Sequence, residues 1–425
     1  MSAAVRGGYK QTEVGVIPKD WEVVALGEIA STSSGTTPAR DLANRYYRNG
    51  TVHWVKTLDL NNSDLADTDE QVTLTAVDET SLRPYPVGTV LVAMYGGFNQ
   101  IGRTGLLRIP AAVNQAITAI QPRATKLQPE YLLATLNFRV DYWKTVASSS
   151  RKDPNITSQD VRAFPIAFPQ LPEQRAIATA LSDVDALLAK LDALVAKKCD
   201  LKVAAMQQLL TGQARLQGFS GEWEVKRLGD VGDCLRGVTY KGDGDLWPHD
   251  TSQTKRLLRS NNVQNAKVVT EDIQFVNADR VSTHQLLKAN DILICMANGS
   301  KALVGKAGLF SVSDGYDYTF GAFMGCFRSN TAASSSSFVF YLFQTGRYRN
   351  YINNLLAGSS INNLSPSSIE SLEFQIPPML EQTAIATVLS DMDADLSALE
   401  NRRDKTRAIK QGMMQELLTG RIRLV

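Results

Sequence analysis

A chain of 425 residues with 44% hydrophobic and 21% charged content and a net charge of +2 reads as two or three soluble globular domains. That balance excludes a uniformly basic nucleic-acid coat, so any nucleic-acid face has to be a local patch. Cys199, Cys234, Cys295 and Cys326 form no Cys-x-x-Cys pair and only three histidines accompany them. This argues against a structural zinc site and suits a reducing cytoplasm, and no apolar run is long enough for a bilayer span.

Taken in order, the polar residues 1–14 offer no signal-peptide core. Trp21-Glu22-Val23 and Leu26-Gly27 then return as Trp223-Glu224-Val225 and Leu228-Gly229, an offset of 202 (21 to 223). The runs Val87–Met94 and Ala289–Met296 predict a turn followed by a buried strand. Gly102–Leu106 and Gly305–Leu309 predict a second turn feeding the next strand. Helical stretches over Pro129–Trp143 and Ser337–Tyr351 follow, with Tyr131, Leu132, Leu136, Phe340 and Phe343 on their apolar faces. Polar loops, 148–157 and 358–365, end each globular part.

The strongest repeat comes next. Glu173-Gln174 and Ile177-Ala178 recur as Glu381-Gln382 and Ile385-Ala386, an offset of 208 (173 to 381). The register continues without a gap to Leu209-Leu210-Thr211-Gly212 and Leu417-Leu418-Thr419-Gly420. Ile177, Leu181, Val184, Leu188 and Leu191 keep the alternating four–three spacing of a coiled-coil seam, as do Ile385, Leu389, Met392, Leu396 and Leu399. Each segment opens after prolines (Pro169 and Pro172; Pro377 and Pro378) and closes at a glycine. A helix over residues 173–211 would be about 55–60 Å long, which suits a spacer between two bodies. The chain is therefore a tandem repeat, each copy a globular part followed by a long helix. The expected boundaries are 1–168 and 213–376 for the globular parts, and 169–212 and 377–425 for the helices.

No catalytic constellation stands out. The Gly-x-Gly-x-x-Gly fingerprint is absent, as is the adenine-methyltransferase signature of Asn or Asp before Pro-Pro and an aromatic. Gly97–Thr104 has P-loop spacing, but Arg103 stands where lysine is needed and the stretch joins two expected strands, so a β-turn is the better reading. A nucleotide-binding enzyme built on Gly97–Thr104 and a coiled-coil adaptor that binds only protein are the competing alternatives. What the sequence does offer is polar, glycine-containing loops at matching places in the two copies. In the first copy they carry Thr36, Thr37 and Arg40; Lys56, Asn61 and Asn62; Tyr95, Asn99, Gln100 and Arg103; and Ser149, Arg151 and Lys152. In the second they carry Thr239 and Lys241; Arg259, Asn261 and Asn262; Asn298, Ser300, Lys301 and Lys306; and Asn362 and Asn363. Arg and Lys suit guanine O6/N7, Asn and Gln suit adenine N6/N7, and hydroxyls and spare cations suit phosphates. Asn, Ser and Gly are also ordinary turn formers.

Two variable domains that open at Trp21 and Trp223 and end in helices carrying Glu173-Gln174, Glu381-Gln382 and two Leu-Leu-Thr-Gly stops resemble the specificity subunit of Type I restriction-modification enzymes. The resemblance implies an α+β chain in pseudo-twofold repeat, with two similar mixed α/β target recognition domains separated by long antiparallel coiled-coil helices. It implies a non-catalytic subunit in which each domain reads one half of a bipartite site on double-stranded DNA. The helices would fix the spacing, two methyltransferase subunits would dock on them, and restriction/translocase subunits would join. S-adenosylmethionine, ATP and Mg would belong to those partners, with no cofactor in this chain and no membrane involved. Lys190, Lys197, Lys198, Lys202, Arg402, Arg403, Lys405, Arg407 and Lys410 would face DNA or a partner, or form a solvated helix face.

Overall fold

The computed structural model describes residues 7–97, 99–147, 155–357 and 362–424. They group into two compact units. Unit 1 is Met1–Ala193 with Asn401–Val425, and unit 2 is Leu194–Glu400. The repeated segments are continuous helices, Leu171–Leu209 and Met379–Leu417, of 39 residues each. At 1.5 Å per residue each is about 58 Å long. The unit boundary falls inside both, so every unit contains the opening of one helix and the close of the other. Among the described residues no helix is long and apolar enough to cross a membrane.

Unit 1 is built on a five-stranded sheet. Its order is Ala30–Ser34, Ile117–Pro122, Val90–Ala93, Thr104–Leu107, Ser63–Leu65, antiparallel except for the last pair. Val90–Ala93 is buried along its whole length, as its continuous apolar run requires of a central strand covered on both faces. A three-stranded sheet has Val52–Val55 at its centre, parallel to Ala111–Val113 and antiparallel to Gln71–Val72. The same plan recurs in unit 2. Ile292–Cys295 lies between Met324–Ser329 and Ala307–Leu309 in a six-stranded sheet. Thr254–Leu258 lies parallel to Tyr318–Phe320 and antiparallel to Gln274–Asn277.

Each stretch expected as one helix is two. Pro129–Phe138 is followed by Tyr142–Val146, and Ser336–Leu342 by Gly346–Ala357. The first break is held by Arg139, whose guanidinium donates to the Pro165 carbonyl and lies over the Tyr142 and Phe164 rings. The turn drops Trp143 into the core, stacked on Phe164 with ring centroids 5.0 Å apart. At the second break Thr345 caps both sides: its hydroxyl donates to the Leu342 carbonyl and accepts from the Tyr348 amide.

The turn after each central strand needs a glycine. Gly102 and Gly305 both have φ +79°, and a Cβ on Gly102 would lie 2.1 Å from Trp143 Cδ1. Gly97–Thr104 therefore leads from one antiparallel strand into the next, not into the helix that a phosphate loop opens.

Within each unit the helix halves run antiparallel. In unit 1, Lys410 pairs with Asp185 at 2.5 Å and Arg407 with Asp192 at 3.2 Å. In unit 2, Lys198 pairs with Asp395 at 3.0 Å and Lys202 with Asp393 at 2.6 Å. Arg403 also approaches Asp192, at 3.8 Å. Five of the helix cations are thus staples between helices, whereas Lys190, Lys197, Arg402 and Lys405 are exposed. Ile177, Leu181, Leu191, Ile385, Leu389 and Leu396 are buried, while Val184, Leu188, Met392 and Leu399 are half-buried. Ile177 and Leu181 join Leu417 and Leu418 in the unit 1 core, and Ile385 and Leu389 join Met206, Leu209 and Leu210 in that of unit 2.

A repeated lock seats each domain on its helix. The strand leading into the helix, Pro165–Phe168 or Glu373–Ile376, pairs antiparallel with the strand after the repeated tryptophan, Glu22–Ala25 or Glu224–Arg227. Glu173 and Glu381, each 1% exposed, sit at this junction. Arg423 binds Glu173 with two hydrogen bonds (2.5 and 2.9 Å), and Trp21 Nε1 adds a third at 3.0 Å. Arg215 does the same for Glu381 (2.5 and 2.7 Å), with Trp223 Nε1 at 3.2 Å. The neighbouring buried amides, Gln174 and Gln382, donate to the Pro169 and Pro377 carbonyls that enter the helices. A buried carboxylate is tolerated only when paired and hydrogen-bonded, which is why the Glu-Gln pair and the distant arginine recur together.

Candidate nucleic-acid interface

In unit 2 several loops, separate in sequence, meet around one cleft of about 1050 Å³. Six of the sequence-predicted residues line it: Thr239, Arg259, Asn261, Asn298, Asn362 and Asn363. The loops are tied to one another. Asn298 donates its side-chain amide to Ser260 Oγ at 3.4 Å and its backbone amide to the Asn362 carbonyl at 3.4 Å. The Asn362 side chain donates to the Gly299 carbonyl at 3.2 Å. Arg259 and Asn261 both donate to Asp272 Oδ2, at 3.1 and 3.0 Å. Arg259 Nε is buried in the cleft wall with no partner. A guanidinium, amides and a carboxylate on one concave surface are the groups that read base edges, Asp accepting from cytosine N4.

The other predicted residues of unit 2 do not line this cleft. Asn262 is fully buried: it accepts from the Arg259 amide and donates to the Val269 and Glu271 carbonyls, clipping its own loop. Lys301 donates to the Leu356 carbonyl at the end of a helix. Ser300 and Lys241 are exposed beside the cleft loops and Lys306 is half-buried.

Unit 1 presents the equivalent loops with different chemistry. Arg40 makes a two-pronged pair with Glu70 (2.5 and 3.0 Å) and lies 4.1 Å over the Tyr47 ring. Lys56 reaches Asp69 at 3.2 Å and Glu70 at 3.4 Å. The Arg40 hydrogen bonds hold the Glu70 carboxyl below its usual range, outweighing the burial that pushes it up. Arg40 is exposed while Lys56 and Glu70 are half-buried, and pairs this open to solvent contribute little to stability. Thr37 donates to Gln115, and Thr36 shares a hydrogen bond with Ser81 at 2.8 Å. Asn61 accepts from Ser63, and Asn62, at φ +63°, accepts from the Thr104 amide. Tyr95 and Asn99 are exposed, while Gln100 and Arg103 are half-buried. Ser149, Arg151 and Lys152 lie outside the described residues.

Sequence reasoning missed Tyr240, Asp272 and Phe323 in the unit 2 cleft. Asp272 was legible in principle: Asp69 follows Lys56 by the interval at which Asp272 follows Arg259. Phe323 stands alone in a short turn and carries no periodic signal.

These features can be set beside known proteins. The Type I restriction modification DNA specificity domain matches residues 18–195 and 220–409. The chain is 32% identical over 200 residues to the EcoKI specificity subunit of a Type I restriction enzyme from Escherichia coli K12, covering 47% of this chain and 42% of that one. It is 21% identical over 440 residues to the MjaVIII specificity subunit from Methanocaldococcus jannaschii, covering 96% and 94%. It thus spans less than half of the EcoKI relative and nearly all of the MjaVIII relative. The S subunit of a Type I restriction-modification system from M. genitalium shares the fold, with a TM-score of 0.60 at 13% identity over 93% of this chain and 96% of that one. With both of its repeats matched, the chain belongs to the Type I restriction-modification DNA specificity family.

Proposed function

We propose that this chain is the DNA-reading, non-catalytic subunit of a Type I restriction-modification complex, each unit recognising one half of a bipartite site. The observation that carries this is the unit 2 cleft, where Arg259, Asn261, Asn298 and Asn362 converge from three separate loops. Half-sites read from one face of a duplex lie about 34 Å, one helical turn, apart. The paired helices would set how many unread base pairs separate them. Two methyltransferase subunits and the restriction/translocase subunits would supply catalysis, with S-adenosylmethionine, ATP and Mg bound there, in the cytoplasm.

The test is selection from a random duplex pool by the chain reconstituted with its methyltransferase subunits. A bipartite sequence is expected. Exchange of residues 30–165 for another recognition domain should change one half-site only. One helical turn inserted before both Lys197 and Lys405 should change the spacing and leave the half-sites intact. Selection of no sequence would favour a protein-only adaptor and overturn the proposal.

A further inference from the structure

The least economical residue on the unit 2 cleft is Phe323. The residue is 70% exposed, yet its backbone is held by hydrogen bonds. The Phe323 carbonyl accepts from both the Met296 and Ala297 amides, at 2.9 and 3.1 Å. On either side, Met324 N–H donates to Gly321 O at 2.8 Å and Gly237 N–H to Met324 O at 3.3 Å. An apolar ring left in water on a pinned turn gains nothing for the fold. The ring stands on the rim of the same cleft as Arg259, Asn261 and Asn298, with Tyr240 also in the lining. A nucleobase is the ligand whose surfaces match this pairing: a π-face for the ring and a donor–acceptor edge for the amides and guanidinium.

The other unit lacks this device at the same place. Its turn between the equivalent strands holds Ala116, whose carbonyl accepts from the Met94 amide just as that of Phe323 accepts from Met296. Unit 1 carries exposed apolar groups at other places, Leu58, Leu74 and Tyr95 among them.

Building on the DNA-reading function above, we propose that Phe323 is a wedge. Its ring enters the base stack of the half-site read by unit 2, and the edge of the displaced base is read by the cleft amides. Side chains that unstack a step in this way are found on proteins that kink DNA, and flexible pyrimidine–purine steps yield to them most readily. The unit 2 half-site therefore contains such a step at the wedge position, and the unit 1 half-site is read without unstacking at the turn that carries Ala116.

The experiment uses the reconstituted complex and a duplex bearing its own selected site, with 2-aminopurine placed in turn at each position of both half-sites. Wild type should raise the emission at one position of the unit 2 half-site other than the bases that the methyltransferase subunits extrude. Phe323→Ala should abolish that rise and weaken binding on the order of tenfold to a hundredfold, the range for loss of one stacked base, while Phe323→Tyr should keep both. Because the ring is exposed, loss of fold does not confound Phe323→Ala. An unchanged affinity and emission profile in Phe323→Ala would overturn the wedge while leaving DNA reading intact. So would competition by free nucleosides at this cleft, which would make it a small-molecule site. Failure of wild type to select any bipartite site would instead overturn the function on which the wedge rests.

Discussion

Trp21 and Trp223 do the same job at different depths. Both donate an indole N–H to a buried glutamate at the mouth of a long helix, but Trp21 is 1% exposed and Trp223 is half-buried. Arg423 also pairs with Asp20, at 2.8 and 3.0 Å, whereas Arg215 instead donates to the Gly221 carbonyl at 2.9 Å. The fastening chemistry is thus held nearly constant between the units, while the equivalent turns change from Gln115 and Ala116 to Ala322 and Phe323. A surface that must contact new targets can vary freely only if the frame beneath it does not depend on it for stability.

The largest test of that contrast is to break each lock. Arg423→Ala or Arg215→Ala leaves a carboxylate 1% exposed without its counter-charge, which typically costs about 3–5 kcal/mol. Each change should destabilise its own unit. Thiol labelling separates the two, since all four cysteines lie in unit 2. Cys199 is exposed and should react at once, whereas burial pushes the Cys234 thiol up to about 12 and raises Cys295 and Cys326 as well. Arg215→Ala should make the three buried thiols reactive and Arg423→Ala should not; equal labelling in both would show that the units do not open separately. Trp21→Ala should cost about 3–5 kcal/mol, as for a fully buried tryptophan, and Trp223→Ala distinctly less, compared by denaturant midpoints.

Next in size are the paired turns. Gly102→Ala sets a Cβ against the Trp143 ring and Gly305→Ala sets one 3.0 Å from Ile352, both at φ +79°. Each bears the backbone strain, about 1–3 kcal/mol, and only Gly102→Ala adds a severe clash. Gly102→Ala should therefore melt lower. Smaller still are the helix staples: Lys410→Ala in unit 1 or Lys198→Ala in unit 2 should cost about 0.2–1 kcal/mol, less at high salt. Finally, Glu70→Gln should lower unit 1 stability by under about 1 kcal/mol at neutral pH. A depressed carboxyl stabilises above its unfolded value, near 4.3, and the contribution is lost as pH falls through the folded value. The gap between Glu70→Gln and wild type should therefore close in acid, as followed by urea titrations at several pH values. A gap that persists there would exclude the Arg40 pair as its cause.

Much of the frame was legible in the sequence because it is periodic or repeated. The seam residues from Ile177 to Leu399 follow from spacing, and the buried strands from the apolar runs at Val90 and Ile292. The offset between copies also signalled that Glu173 and Glu381 mattered, but not why. Their partners stand 250 and 166 residues away, and an ion pair across such a separation leaves no pattern in the chain. The breaks at Arg139 and Thr345 were hidden for a related reason, since helix periodicity continues across a turn set by capping and tertiary contacts. In the polar loops, residue type alone could not separate Asn261, which lines the cleft, from Asn262, which clips its own loop.

The division of the long helices between units has a consequence for synthesis. Residues 194–400 form one uninterrupted run, so a ribosome delivers everything unit 2 requires before unit 1 can be finished. The first 193 residues must wait for the last 25, and Glu173 stays without its guanidinium until position 423 emerges. Protease protection of stalled nascent chains should therefore appear in the second half of the polypeptide first, reversing the usual amino-terminal lead.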